Sequence, residues 1–396
     1  PIPWQDEEFY DSKKLDEELR RVFDVCHGCR RCFNLCDSFP KLFDLIDDSQ
    51  SGELDSVSSE DFKPVVNACT LCDMCYMTKC PYVPPHEFNL DFPHLMLRYR
   101  AIQFKNGDIP FVNKELTKTD RNGKTFGKIA SIVNWGSSRE NLISRKILET
   151  TCDIHRDASL PEFQKETFVK KQITAPPTIN TRAPAYGRKA VIYATCFVNY
   201  NNPSIGFAAQ AVLNLNGVTT EVIYPSCCGM PQLEQGNIQE VARSAEKIAK
   251  ELRSWVDDGN DIIALTPSCA LMLKFEWPLI LPENEDVRAL SGATFDIDEY
   301  IVAIAKKEGL ADGLQSLDGG VTLHHACHSR AQNFGQKSVD MLKYIPDLDL
   351  TVIERCSGHG GSWGMMKENF PSALKVGKPA ARQAKKASST YVASGC

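Results

Sequence analysis

The sequence predicts an α+β multidomain protein, with a small helical N-terminal module followed by two duplicated α/β domains, each built on a parallel sheet. Three observations predict it. From Lys189 onward, short β-rich runs alternate with helix-like stretches, the pattern of a parallel sheet with helical crossovers. The same order of runs recurs about 130 residues later, at the scale of an internal repeat. Before Lys189 the chain carries no such alternation and instead places cysteines in two tight runs.

Within the first repeat, the strand candidates are Ala190 to Ala194, Thr219 to Tyr224 and Asp261 to Thr266, separated by helix candidates Ile205 to Leu215 and Gln239 to Val256. The second repeat offers Val321 to His325, Leu350 to Glu354 and Thr390 to Ala393, with helices at Ser338 to Tyr344 and Pro371 to Lys386. The strand-end cysteines follow the same offset: Cys196, Cys227 and Cys269 correspond to Cys327, Cys356 and Cys396. Ligands bind at the carboxyl ends of parallel strands, so these cysteines are expected to converge. The domain boundaries read 1–105, 106–186, 187–315 and 316–396, with the last domain degenerate and expected to be incomplete at its C-terminus. The stretch 106–186 is a polar, Pro-rich connector ending in Ala175-Pro176-Pro177 and Ala183-Pro184, with helix candidates Phe126 to Trp135 and Glu140 to Glu149.

Composition narrows the function. The 396 residues are 42% hydrophobic and 24% charged, enough for two or three cores. Sixteen cysteines, eight of them in two closely spaced runs, point to metal rather than disulfide loops. A net charge of −6 and the lack of a groove-reading motif argue against nucleic acid. Residues 1–80 hold 17 acidic against 9 basic side chains, so the acidic end is also the cysteine-rich end. No apolar run is long enough to span a bilayer, and no leader resembles a signal peptide. A cytoplasmic location is expected, with peripheral contact at the cytoplasmic face of a membrane as an extension of it. Pro1 in place of Met, and the stop at Cys396, read as a trimmed piece.

The first cysteine run is Cys26-His-Gly-Cys29-Arg-Arg-Cys32-Phe-Asn-Leu-Cys36, and the second is Cys69-Thr-Leu-Cys72-Asp-Met-Cys75-Tyr-Met-Thr-Lys-Cys80-Pro81. Three thiolates at this spacing wrap three corners of a cube, and in paired-cluster ferredoxins the fourth cysteine of each run serves the other cluster. The spacing therefore assigns Cys26, Cys29, Cys32 and Cys80 to one [4Fe-4S] cluster, and Cys36, Cys69, Cys72 and Cys75 to a second, making residues 1–105 a helical ferredoxin-like module. Zinc in two four-cysteine sites is the alternative, but zinc has no use for the third closely spaced cysteine in each run. Two departures bear on cross-ligation: Asp37 follows Cys36 where proline is usual, and four residues precede Cys80. His27, Arg30 and Arg31 lie inside the first run and read as solvated loop residues, although a charge near sulfur would raise a cluster's potential.

The later constellation is Cys196, then Cys227-Cys228-Gly229, then Pro267-Ser268-Cys269. On these residues, together with the double run, the chain resembles the cysteine-rich-domain (CCG) iron–sulfur oxidoreductases. That family includes the B subunit of heterodisulfide reductase, the C subunit of anaerobic glycerol-3-phosphate dehydrogenase and the iron–sulfur subunits of glycolate and lactate oxidases. The resemblance implies electron transfer from a flavoprotein dehydrogenase subunit, through the two cubanes, to a cysteine-rich-domain cluster and on to a quinone or another acceptor. It also implies a further iron–sulfur cluster, of noncubane type, at Cys196, Cys227, Cys228 and Cys269, with zinc as the alternative occupant. A rival within the family is disulfide reduction at that cluster.

Two features depart from the family. Met272 stands where a further cysteine is expected after Cys269, and Cys356-Ser357-Gly358 replaces Cys-Cys-Gly in the second repeat. That repeat gathers His324, His325, His328 and His359 around Cys327 and Cys356; His328 and His359 are the candidates for proton or ligand roles, as imidazoles titrate near neutrality. The glycine-rich stretch Gly358 to Gly364 lacks the lysine of a phosphate loop and reads as tight packing. Cys152 reads as a core thiol. The apolar stripe Phe126, Ile129, Ile132, Val133 and Trp135 reads as the buried face of a packed helix, with a lipid surface as its alternative.

Overall fold

The computed structural model describes residues 1–174 and 178–396; the Ala175-Pro176-Pro177 marker lies outside them. The N-terminal region is helical. Asp11 caps the helix Ser12–Cys29 by accepting from the Lys13 and Lys14 amides. Leu15, Leu19, Val22 and Phe23 recur on one face of it and are buried. Phe23 meets Phe62 edge-on at 5.1 Å and also faces Phe92, which joins this helix to Phe92–Asn106. The helix Ser38–Asp47 adds Phe39, Leu42, Phe43 and Ile46 to the same core.

Two parallel sheets follow. Strands β1 (Lys189–Tyr193), β2 (Thr219–Ile223), β3 (Asp261–Ala264) and β4 (Thr294–Asp296) pair in the order β2-β1-β3-β4. Strands β5 (Val321–His324), β6 (Leu350–Ile353) and β7 (Tyr391–Ser394) pair in the order β6-β5-β7. All pairings are parallel. In the register of the first sheet, Ile192 lies between Val222 and Ile263. The amphipathic helix Ile238–Asp257 covers this sheet through Val241, Ala245, Ile248 and Leu252. No helix among the described residues is long and apolar enough to cross a membrane.

The connector departs from the sequence reading. Instead of one helix over Phe126 to Trp135 there are two, Thr119–Lys128 and Ala130–Ser137, broken at Ile129. The apolar stripe is not the buried face. The first helix packs through its glycines: a Cβ at Gly123 would sit 2.3 Å from the Tyr200 ring, and one at Gly127 2.9 Å from the Gln164 carbonyl. With the glycine side inward, Ile132 is left 67% exposed and Trp135 68%. The following helix, Leu142–Thr151, adds Leu142, Ile143 and Ile147 to the exposed surface. Phe126 alone of the stripe finds an aromatic partner, Phe163. Cys152, read as a core thiol, is only half-buried.

The two sheet regions meet through a polar junction. Asp296, the cap of helix Ile297–Lys307, accepts a 3.0 Å bond from Gln332. Beside it, Lys274 pairs with Glu299 at 2.7 Å and reaches the Gln332 amide oxygen, and the Ser338 hydroxyl donates to Asp298. Burial pushes the Asp296 carboxyl up to about 7. The folded protein therefore binds a proton there that the unfolded chain has already lost, and stability falls as pH rises from about 4 to about 7. Asp296→Asn should flatten that fall, which amounts to at most ~4 kcal/mol over the window. Urea midpoints of both proteins at pH 4.5 and 7.5 measure it, and parallel pH profiles would contradict the assignment.

Candidate metal centres

The first group of thiols is made by a helix end and a turn. Cys26 and Cys29 occupy the last turns of Ser12–Cys29, Arg30 stops that helix in a left-handed conformation (φ 51°), and Cys32 lies in the turn that follows. Cys80 joins them from the second run. Its amide donates to the Cys75 carbonyl at 2.8 Å, closing the four intervening residues into a single π-turn. The longer spacing before Cys80 is absorbed in that turn. Cys26, Cys29, Cys32 and Cys80 line a space of about 20 Å³ walled by Phe39, Phe43 and Tyr82. Burial, then the neighbouring thiols, raise Cys26, and burial pushes Cys32 up to about 11.

The second group comprises Cys36, Cys69, Cys72 and Cys75. Leu71 (φ 48°) and Asp73 (φ 55°) are both left-handed, so the backbone winds back on itself on either side of Cys72. Burial and then mutual repulsion raise Cys36 and Cys75 well above the usual thiol range. Arg100 fixes the loop from behind, donating to the Val66 carbonyl at 2.8 Å and to the Cys69 carbonyl. His27 and Arg30 take no part in either group, for both bind the Asp47 carboxylate.

The third group sits at the carboxyl ends of β1, β2 and β3. Thr195 caps the short helix that begins at Cys196, Cys227 and Cys228 follow β2, and Cys269 lies in Pro267–Leu271. Gly229, at φ 91°, turns the chain away after the pair. The sulfurs of Cys196 and Cys227 are 3.8 Å apart and those of Cys228 and Cys269 3.3 Å. Asp120, from the connector helix, accepts the Cys227 amide at 2.9 Å and the Tyr224 hydroxyl. The Trp277 indole donates to the Cys228 carbonyl at 3.0 Å and the Tyr193 hydroxyl to the Ser226 carbonyl at 2.6 Å. Hydrogen bonds from Cys196 and Cys228 lower Cys227, while the same contacts and burial raise its neighbours. Four thiols so crowded cannot all ionise alone; a cationic core is what makes four thiolates stable together. The same holds for the first two groups, so the donor sets fit iron–sulfur clusters. Met272 is fully buried in the core.

The cysteines of the second sheet do not join this third group. They collect at their own strand ends, and the thiol of Cys327 faces Cys72 of the second group, with Cys356 alongside. Cys396 is exposed and lies 3.1 Å from the Ser357 hydroxyl. Cys36, Cys72, Cys327 and Cys356 line one cavity of about 670 Å³. The four histidines point apart. His324 bridges Ser394 and the Arg355 carbonyl, and buried His325 lies 3.5 Å from Glu354. His328 is held neutral by burial, near 4, against the backbone of Leu71, while His359 is exposed.

The glycine-rich stretch serves close packing. A Cβ at Gly360 would meet Thr70 at 2.7 Å and one at Gly361 the Glu234 carboxylate at 2.6 Å, and the Trp363 indole donates to Asn67 just ahead of Cys69. Sequence reasoning missed Asp120, Arg100 and a buried contact of Asp73, His94 and Glu276. No motif marks any of them, because each acts across elements far apart in the chain.

Residues 190–274 match the family model described as the cysteine-rich domain, CCG. The chain is 27% identical over 287 residues to the C subunit of anaerobic glycerol-3-phosphate dehydrogenase from Escherichia coli K12, covering 72% of this chain and 70% of that protein. It is 28% identical over 188 residues to lactate utilization protein A of Bacillus pumilus, across 45% of this chain and 75% of the relative. The B subunit of the fumarate reductase (CoM/CoB) of Methanothermobacter marburgensis is 26% identical over 204 residues, half of this chain and 38% of its own length. Residues 190–274 thus carry a cysteine-rich domain, and over most of its length the chain is similar to a subunit of an anaerobic dehydrogenase.

Proposed function

We propose that the protein is the electron-transfer subunit of a multi-subunit dehydrogenase or reductase, receiving electrons from a flavoprotein dehydrogenase subunit and delivering them to a quinone or another acceptor. The observation that carries this reading is the assembly of three sets of four thiols. Cys26, Cys29, Cys32 and Cys80 would hold one [4Fe-4S] cluster, and Cys36, Cys69, Cys72 and Cys75 a second. Cys196, Cys227, Cys228 and Cys269 would hold a further iron–sulfur cluster. When bound, such clusters supply one-electron carriers. The chain's own residues set their spacing, exclude water and keep the thiol sulfurs in position.

In this reading residues 1–105 are a ferredoxin-like module, 106–186 a connector, and 187–315 and 316–396 duplicated cysteine-rich domains. The strand orders β2-β1-β3 and β6-β5-β7, each with its first strand flanked by the second and third, favour the duplication. His328 acts as a positioning residue against the Cys69–Cys72 loop, and exposed His359 is the one open to exchange protons with solvent. The disulfide-reductase alternative is weaker, since Met272 is committed to the core where a further cysteine would be needed. The acidic N-terminal region would steer a basic face of the dehydrogenase partner. The exposed Ile132, Trp135, Leu142 and Ile143, with the exposed cations Lys124, Lys128, Arg139 and Lys146 near them in the chain, would give peripheral contact with an anionic membrane.

Iron and acid-labile sulfide per chain, with paramagnetic resonance of the reduced protein, test the cluster count. About twelve irons are expected, about eight would leave only the two cubanes, and zinc in place of iron would refute the proposal. Cys228→Ser should preserve both cubane signals while abolishing transfer to the acceptor, measured as dye or quinone reduction; unchanged turnover would make that site structural. Binding to vesicles of mixed neutral and anionic phospholipid should weaken at least tenfold in the Trp135→Glu and Ile143→Glu double variant. Equal binding of both proteins would remove the membrane contact.

A further inference from the structure

We infer that the cavity between the second thiol group and the second sheet is a binding site for a small dianion, a dicarboxylate or a phosphate monoester. Its volume, about 670 Å³, is that of an ordinary small-molecule site. Four cationic side chains line it, Arg31, Lys79, Arg330 and Arg355, against a single carboxylate, Glu354. That carboxylate is engaged elsewhere, accepting from Gln336 at 3.2 Å and lying 3.5 Å from His325.

The four cations have no such engagement. Among the described residues, none of their side chains makes a hydrogen bond or an ion pair, and the Arg330 Nε is buried without an acceptor. Most other arginines of this chain are satisfied: Arg20 by Asp16, Arg188 by Glu308, Arg253 by Asp257 and Arg145 by backbone carbonyls. Three of these cations are exposed and Arg330 is half-buried with its Nε left over, so the space offers several donors of one charge to an acceptor-rich anion. Guanidinium forks suit carboxylate and phosphate oxygens in pairs, and a lysine adds a point charge.

The cavity extends beyond the thiols on its wall. Twelve of the sixteen residues that line it are not cysteines, and the four cations are among them. Cys36, Cys72, Cys327 and Cys356 occupy only part of its wall. The site stands on these charges alone; only the use of the anion, beside a one-electron carrier at Cys72, rests on the proposed function.

The test is calorimetric titration of the iron-loaded full chain, at low salt, with succinate in one arm and inorganic phosphate in the other. Saturable binding of either anion is expected, and the arm that saturates names the class. Arg330→Gln should weaken that binding at least tenfold without loss of iron, and Arg355→Gln, at an exposed position, should weaken it if the first variant fails to fold. Absence of binding in both arms overturns the inference. So does loss of iron from the folded variants, which would make these cations counter-charges of the cluster. If the chain holds no iron, the proposed function fails while the same titration still decides the site.

Discussion

One buried guanidinium holds the molecule together. Arg100 projects from the helix Phe92–Asn106 and donates to the carbonyls of Val66, Cys69 and Glu234. The first two belong to the loop that presents the second thiol group; the third lies in the helix that follows the Cys227-Cys228 pair. Arginine keeps its charge in such a place, and carbonyls that would otherwise lack donors receive them. The backbone closes in accordingly, for Gly236 lies so near Arg100 that a Cβ would stand 2.3 Å from its carbonyl carbon. The helical region and the first sheet are thereby registered to each other at the point where their thiols must be placed.

Much of this is legible in the sequence because its periodicities are local. The alternation from Lys189 onward locates six strands to within about two residues of their observed ends, for example Val321 to His325 against Val321–His324. Strand β4 is not legible: three residues, Thr294–Asp296, give no period to detect. The connector helix is misread when hydrophobicity is taken as the sign of burial. The close approach of Tyr200 makes Gly123 the inward residue instead.

The thiol groups divide along the same line. Spacing brings together the residues of the two N-terminal groups, since each run is short and each turn is local. The approach of Cys327 to Cys72 escapes any such reading, because it depends on docking of the second sheet onto the N-terminal loop through Trp363 and Asn67. The convergence expected of all strand-end cysteines splits in two for the same reason: each sheet gathers its own, and the polar junction of Asp296, Gln332 and Lys274 fixes the distance between the gatherings.

The helix Thr119–Lys128 has two ends with different surroundings. Near its start, Asp120 holds the amide of Cys227; beyond its end, the chain opens onto the exposed apolar face of Ile132 and Trp135. Phe126 lies six positions beyond Asp120, about 9 Å along the helix. Gly123 and Gly127 seat this helix directly against the Tyr200 ring and the Gln164 carbonyl. The outer apolar face and the residue that holds the Cys227 amide are thus carried by adjoining short helices, some twelve to fifteen residues apart in the chain.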